Sequence, residues 1–269
     1  MTAAHYLRCL WGIVLREALR FVHQRARFIA ALIRPLVWLF IFAAGFRSVL
    51  GVSILPPYET YVLYEVYIAP GLLGMIQLFN GMQGSLSMVY DREMGSMRTL
   101  LVSPLPRWYL LTCKLMAGVM VSLLQVYVFL LIAWFWEVEP PLHGYLTLIP
   151  ALVLSGMMLG ALGLLLSSVI KQLENFAGVM NFVIFPMFFA SSALYPLWRM
   201  REASPLLADI AYYNPFTHAI ELIRFAIYGQ FNPESFLYVM ACLVLFMGFA
   251  IYGYNPARGL IARRVGPAA

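Results

Sequence analysis

The sequence predicts an all-α membrane protein with six transmembrane helices in a single domain over residues 1–269. Hydrophobic residues make up 62% of the chain and charged residues only 11%, whereas soluble domains are about half apolar and about one-quarter charged. Five long stretches contain no charged side chain, and each has the roughly 20 residues that a helix needs to cross the hydrocarbon. These stretches are continuously apolar and do not alternate, which favours helices over a β-barrel.

The first predicted element is an amphipathic helix over residues 1–27. Leu7, Trp11 and Val14 recur at intervals of three or four, whereas Arg16 and Arg20 fall on another face. Basic residues and a tryptophan on such a helix suit the interface between lipid headgroups and water. We expect an interfacial anchor, and the alternative is an elbow that also touches a cytoplasmic partner.

Six membrane spans follow the interfacial helix. Arg34 and Arg47 interrupt the first span, but both lie near its ends, where a long side chain can reach the headgroups. We place the spans at residues 28–50, 60–90, 110–136, 144–170, 175–198 and 234–257.

The distribution of lysine and arginine predicts the orientation of the spans. Thirteen of these residues fall on the side of the two termini and of the segment between the second and third spans, and four fall on the other side. Because basic loops stay in the cytoplasm, we expect both termini there. The net charge of +6 follows mostly from this asymmetry and predicts attraction to anionic lipid headgroups, with no need for nucleic acid.

Polar residues inside the spans have two interpretations. Gln77 and Asn80 lie among glycines of the second span, and such residues either pack helices closely or line a polar pathway. A tyrosine recurs every three residues from Tyr58 to Tyr67, which predicts an interfacial aromatic belt, with stacking on a substrate as the alternative. The candidate pathway-lining residues are Tyr64, Tyr67, Gln77, Asn80 and Asn181.

Residues 91–109 form a charged segment on the cytoplasmic side, between the second and third spans. Met94, Leu100 and Leu101 fall on one face of a short predicted helix that Pro104 ends. An amphipathic helix joined firmly to two spans can dock into a groove of another protein. The alternative is a solvated loop.

Residues 199–233 form the predicted outer segment, which carries too many charges to cross the bilayer. Asn214 is a candidate helix cap and Pro215 suits the first helical position. Glu221 and Arg224 are three residues apart and can pair on a helix. We expect two short helices that dip into the outer leaflet as a re-entrant hairpin.

Two regions resemble the permease subunits of type-2 ABC exporters. The run REMGS at 92–96, followed by LLVSP at 100–104 and then Lys114, resembles their segment after the second span. The run ALYPL at 193–197, with Asn214, Pro215 and Arg224, resembles their pattern after the fifth span. The resemblance covers nearly the whole chain. Three positions depart from it, with Ser96 where threonine is usual, Arg98 where an acid is frequent and Cys113 where a small residue is usual.

The resemblance implies a cytoplasmic coupling helix within 91–109 and a set of partners. It implies two copies of a separate ATPase subunit, which bind ATP and Mg²⁺, and a transmembrane dimer. The dimer is most simply formed with a second copy of this chain, and the alternative is a similar partner permease. The implied coupling residues are Arg92, Glu93, Gly95, Arg98, Leu100, Leu101, Pro104 and Lys171. The implied outer hairpin residues are Tyr195, Pro196, Asn214, Pro215, Glu221 and Arg224.

The sequence shows no catalytic or metal-binding motif. The two lysines, Lys114 and Lys171, are not part of a phosphate-binding G-x-x-x-x-G-K-[ST] loop, and the four histidines lack metal-ligand spacing. We therefore expect a permease without enzymatic activity or cofactor, in a bacterial inner membrane. It would export a drug-like compound or a lipid-linked glycan. The alternative is a non-transporting subunit that relays ATPase motion to an outer partner, and a membrane enzyme is the weakest interpretation.

Overall fold

The computed structural model describes residues 3–23, 25–46, 56–58, 62–94, 105–136, 138–170 and 172–254. Over these residues the protein is all-helical, with a 3-10 turn at Trp134–Trp136. This confirms the predicted all-α class. The α-helices are α1 (Ala3–His23), α2 (Arg25–Phe46), α3 (Tyr64–Glu93), α4 (Arg107–Ala133), α5 (Gly144–Val169), α6 (Leu173–Phe189), α7 (Leu197–Ala203), α8 (Pro205–Tyr213), α9 (Pro215–Ile227) and α10 (Pro233–Gly253).

Helix α3 occupies the centre of the bundle. It packs against α2, α4, α5, α6 and α9, and its middle section from Tyr67 to Phe79 is buried throughout. Glycines permit the closest of these approaches. A Cβ at Gly81 would lie 3.0 Å from the Cα of Gly160 on α5, and one at Gly71 would lie 2.8 Å from the backbone of Ala193.

Three helices of the described chain are long and apolar enough to cross a membrane. They are Arg107–Trp136, Gly144–Val169 and Pro233–Gly253, and shorter apolar helices lie at Ala31–Ile41 and Leu173–Phe189. Helix α3 is longer than two of the three but contains amides and several glycines. Because its neighbours bury it, it does not need an apolar surface toward lipid. The six-span arrangement therefore stays a prediction.

The chain between the fifth and sixth predicted spans differs from the prediction. Helix α6 ends at Phe189, nine residues before the predicted end of the fifth span, and a turn follows before α7. The outer segment then holds three short helices, so the prediction of two is wrong. Ser204 explains the extra boundary, because its hydroxyl accepts the Leu207 N–H at 3.4 Å and Pro205 follows as the first helical residue.

The predicted interfacial segment forms the helix α1, and its exposed side carries an apolar stripe. Leu7, Trp11, Leu15 and Leu19 recur every four residues and are all exposed. The opposite side packs on α4, where the Tyr109 hydroxyl donates to the Tyr6 carbonyl at 2.6 Å. In the first predicted span, the Arg34 guanidinium carbon lies 3.8 Å from the centre of the Phe79 ring on α3.

Candidate functional site

The end of α3 at Glu93, which the predicted orientation places at the cytoplasmic side, is bonded to the connection between α5 and α6. Arg92 Nη2 donates to the Ser167 carbonyl at 2.8 Å, and Glu93 Oε1 accepts the Leu173 N–H at 2.8 Å. A cation thus lies at the C-terminus of α5 and an anion at the N-terminus of α6, the arrangement that helix dipoles favour. The start of the charged segment therefore lies next to the connection that contains Lys171, the other predicted site of ATPase coupling.

A buried ion pair joins α3 to α4 at the same end of the bundle. Lys114 Nζ lies 3.5 Å from Asp91 Oδ2, and the two side chains are only 8% and 12% exposed. Sequence reasoning identified Lys114 from the resemblance but missed Asp91 as its partner. The available signal was that both charges border long apolar runs, where an unpaired charge is costly. The pair fixes the two helix ends that the charged segment connects.

Most of the predicted coupling residues lie outside the described residues. These residues are Gly95, Arg98, Leu100, Leu101, Pro104 and Lys171. The structure places Arg92 and Glu93, and their assignment to ATPase coupling stays a prediction.

The amides of α3 make hydrogen bonds between helices. Gln77 Nε2 donates to the Leu152 carbonyl at 2.6 Å and its Oε1 accepts from the Ser155 hydroxyl at 2.7 Å. Asn80 donates to Gln125 on α4. Both amides also border a cavity of about 50 Å³ between α1, α3, α4 and α5, enough for a few water molecules. The contacts match the helix-packing interpretation, and a pathway-lining role stays a prediction.

The described tyrosines at and before the start of α3, its predicted outer end, are buried, so the interfacial belt is wrong for them. Tyr58, Tyr64 and Tyr67 are 6%, 2% and 2% exposed. The Tyr64 hydroxyl donates to the Leu194 carbonyl at 2.8 Å, and that of Tyr67 donates to the Ser192 carbonyl at 3.1 Å. These bonds attach α3 to the turn that follows α6.

An ion pair on α9 completes this outer cluster, which we define as Tyr67, Ser192, Glu221 and Arg224. Arg224 bonds to Glu221, as the three-residue spacing predicted, and its Nη2 donates to the Ser192 carbonyl at 2.9 Å. The Ser192 hydroxyl donates to Glu221 Oε1 at 2.7 Å. The Arg224 guanidinium carbon lies 4.3 Å from the centre of the Tyr67 ring, close enough for a cation–π contact.

Burial and charge act in opposite directions on Arg224. Burial lowers the pKa of the guanidinium, but the Glu221 carboxylate raises it, and the result is a pKa above the usual value. Arg224 therefore stays charged although only 3% of it is exposed. Its charge depends on Glu221, because an isolated buried cation would be strongly destabilising.

The remaining predicted outer residues serve as caps or lie at the surface. The Asn214 side chain accepts the Phe216 N–H at 3.0 Å, and Pro215 is the first residue of α9, as predicted. Pro196 precedes the first residue of α7 and is buried, whereas Tyr195 beside it is exposed. Asn181 is exposed on α6, whereas Tyr64, Tyr67 and Gln77 are buried.

A histidine absent from the sequence prediction sits among the outer helices. The His218 ring stacks on Tyr238 with centroids 3.9 Å apart and meets Tyr212 edge-on. Its Nε2 atom is buried without a hydrogen-bond partner in the described structure. Burial lowers the pKa of His218 below the usual 6.5, so the ring is neutral at pH 7.

Comparison with known proteins finds similarity to transport permeases. The chain is 29% identical over 220 residues to a protein of Porphyra purpurea named as a transport permease, ycf38, and the match covers 80% of this chain and 72% of the relative. It is 30% identical over 171 residues to a protein of Escherichia coli K12 named as a multidrug ABC transporter permease, YbhR, covering 62% of this chain and 45% of the relative. A shorter match, 27% over 103 residues, covers 38% of Nodulation protein J from Neorhizobium galegae.

The family match spans most of the chain. The sequence profile of the ABC-2 type transporter covers residues 8–228, from the first turns of α1 to the residue after α9. It thus includes both the bonded end of α3 at Arg92 and Glu93 and the outer cluster. The chain belongs to the ABC-2 type transporter family, whose members are membrane subunits and not themselves catalytic.

Proposed function

We propose that this chain is the permease subunit of an ATP-driven exporter in a bacterial inner membrane. It would work with two copies of a cytoplasmic ATPase, which bind ATP and Mg²⁺, and move an amphipathic or hydrophobic molecule outward. Both termini and the 91–109 segment would face the cytoplasm. The exposed apolar stripe of α1 supports an interfacial position for that helix, since its leucines and Trp11 would enter the headgroup region.

One observation carries the proposal: α3 is hydrogen-bonded near one end to the start of α6 and near its other end to the turn that follows α6. Glu93 bonds to Leu173 at the start of α6, and Tyr67 bonds to Ser192 just after its end. A displacement of the cytoplasmic segment would therefore move α3 and α6 together and reach the outer cluster. A transport subunit driven by an ATPase requires such a connection between its two sides.

A second permease copy fits the exposed face of α6. Asn181 and Gly178 lie on that face, and Phe182 is 79% exposed. Among the described residues outside this helix, no atom lies within 4 Å of a Cβ built on Gly178. An amide that faces hydrocarbon is costly, and a glycine beside it admits a closely packed helix. We infer that α6 packs against a second copy of this chain.

The function is tested by reconstitution of the permease and its ATPase in vesicles. Candidate cargoes are lipophilic dyes and a lipid-linked glycan, each followed across the membrane with ATP or with a non-hydrolysable analogue. ATP-dependent outward movement of a cargo supports export. ATP turnover that depends on the permease but moves none of the cargoes supports the relay alternative instead.

A further inference from the structure

A groove on the outer side lies between the end of α6, helix α8 and the start of α9. Its volume is about 520 Å³, within the range of roughly 300–1,000 Å³ typical of small-molecule sites. The residues that line it are Pro186, Met187, Ala190, Asp209, Ile210, Tyr213 and Asn214.

The walls of the groove are apolar and aromatic. Ile210 is 53% exposed and Tyr213 is 67% exposed, so both present surface that a ligand can cover. Met187 adds a flexible, polarizable side chain that adapts to differently shaped ligands. The Tyr213 carbonyl accepts from the Tyr238 hydroxyl at 2.8 Å, which holds this residue against α10 while its ring stays accessible.

One of the described residues that line the groove is charged. Asp209 is the charged residue among those that line it. The amide nitrogen of Asn214 already donates to the carbonyls of Met187 and Ala190, at 2.8 and 2.6 Å. The groove therefore offers a carboxylate that accepts hydrogen bonds and a tyrosine ring, a combination that attracts a cation.

Asp209 forms only a weak, exposed ion pair with Arg201. Arg201 Nη2 on α7 lies 3.7 Å from Asp209 Oδ1, and the two side chains are 66% and 62% exposed. Exposed pairs of this kind contribute little stability. A ligand cation can replace Arg201 at the carboxylate, and Arg201 then acts as a competitor for the site.

We propose that this groove binds a cationic amphiphile, with its aromatic or aliphatic body against Ile210, Met187 and Tyr213 and its charged group at Asp209. If the chain exports such molecules, as the proposed function states, the groove would be a station on their outward path. Binding at the groove requires no ATPase, so it is measured separately from transport.

The test measures equilibrium binding of a fluorescent cation to the purified chain in nanodiscs of uncharged phosphatidylcholine. The probe is rhodamine 6G, and the comparison ligand is fluorescein, an anion with the same ring system. We expect rhodamine 6G to bind more tightly than fluorescein, and this preference to shrink as salt is raised.

Substitutions of the two residues of the Arg201–Asp209 ion pair should change the binding affinity in opposite directions. Asp209→Asn should weaken rhodamine 6G binding by at least about 3-fold, while Arg201→Gln should strengthen it by about 2-fold, because the competing guanidinium is gone. Tyr213→Ala should weaken binding, and Tyr213→Phe should leave it unchanged. Glu202→Gln is the matched control, since this exposed acid lies on α7 outside the groove and should have no effect.

Three results would overturn the proposal. Equal losses in Asp209→Asn and Arg201→Gln would mean that the ion pair is only structural. Equal binding of rhodamine 6G and fluorescein would mean that no charge selection exists. Efficient cross-linking of Ile210→Cys between two copies, with no probe bound to the linked dimer, would assign the groove to a second copy of the chain. Tight, Asp209-dependent binding without ATP-driven transport would instead support the binding site and contradict the proposed export function.

Discussion

Loss of Arg224 is predicted to be far more damaging than loss of Arg201, although both are arginines of the outer segment. Arg224→Ala removes the partner of Glu221 and one donor to the Ser192 carbonyl, and leaves the ring of Tyr67 facing an empty space. The side chain of Arg224 is 4% exposed and that of Glu221 is 19% exposed. Breaking a buried ion pair from one side costs about 3–5 kcal/mol.

The matched control is Arg201→Ala, which removes a pair whose side chains are both more than 60% exposed. Such pairs are worth about 0–1 kcal/mol. The two variants should therefore differ by several kcal/mol in folding free energy, and this difference should appear as a lower yield of monodisperse protein and a lower melting temperature in detergent for Arg224→Ala.

A double variant separates the stranded charge from lost packing. Glu221→Gln with Arg224→Met removes both charges and keeps much of the volume, so it should be more stable than Arg224→Ala alone, because no carboxylate is left unpaired. If Arg224→Ala and Arg201→Ala melt at the same temperature, or if the double variant is the worst of the three, the outer cluster is not a desolvated ion pair.

Three further predictions concern the cytoplasmic segment, the topology and the pH dependence. Leu100→Asp should abolish co-purification with the ATPase while membrane insertion stays normal, because a carboxylate would enter an apolar contact; normal yield of the complex would refute the coupling role. Ala203→Cys places a thiol at an exposed position of α7, in a variant whose three native cysteines are replaced. This thiol should react with an impermeant thiol reagent added from the outside. Labelling from the cytoplasmic side alone would contradict the predicted orientation. Burial lowers the pKa of His218, so as the pH falls its ring becomes protonated at a higher pH in the unfolded chain than in the folded protein. The melting temperature should therefore fall as the pH drops below about 6.5. His218→Gln should flatten this dependence, and an unchanged slope would assign the dependence to other groups.

The outer segment shows which contacts local sequence can predict. Asn214, Pro215 and the Glu221–Arg224 spacing specified α9 correctly, because caps and i,i+3 pairs depend on neighbours along the same helix. The extra helix α8 was missed, although Ser204 and Pro205 carry the same cap signal.

The buried tyrosines show the opposite case. Tyr64 and Tyr67 bond to residues 130 and 125 positions away in the chain. A tyrosine at the outer end of a span has the same sequence pattern whether it faces headgroups or a distant turn. The Asp91–Lys114 pair was missed for a related reason, since pairing across two helices depends on their packing and not on spacing within one helix.

The long-range bonds of α3 also bear on the order in which the protein assembles during synthesis. Gln77 bonds to Leu152 and Ser155, which lie 75 and 78 residues later in the chain. The hydrogen-bond partner of Tyr67, Ser192, lies 125 residues later. Helix α3 therefore leaves the ribosome long before α5 and the turn after α6 exist, with amides and hydroxyls that the finished bundle buries. These groups need provisional partners, such as water, lipid headgroups or an insertion factor, until the later helices arrive. Truncation before the turn that follows α6 would leave the Tyr64 and Tyr67 hydroxyls permanently without these partners, which makes such fragments targets for membrane proteases.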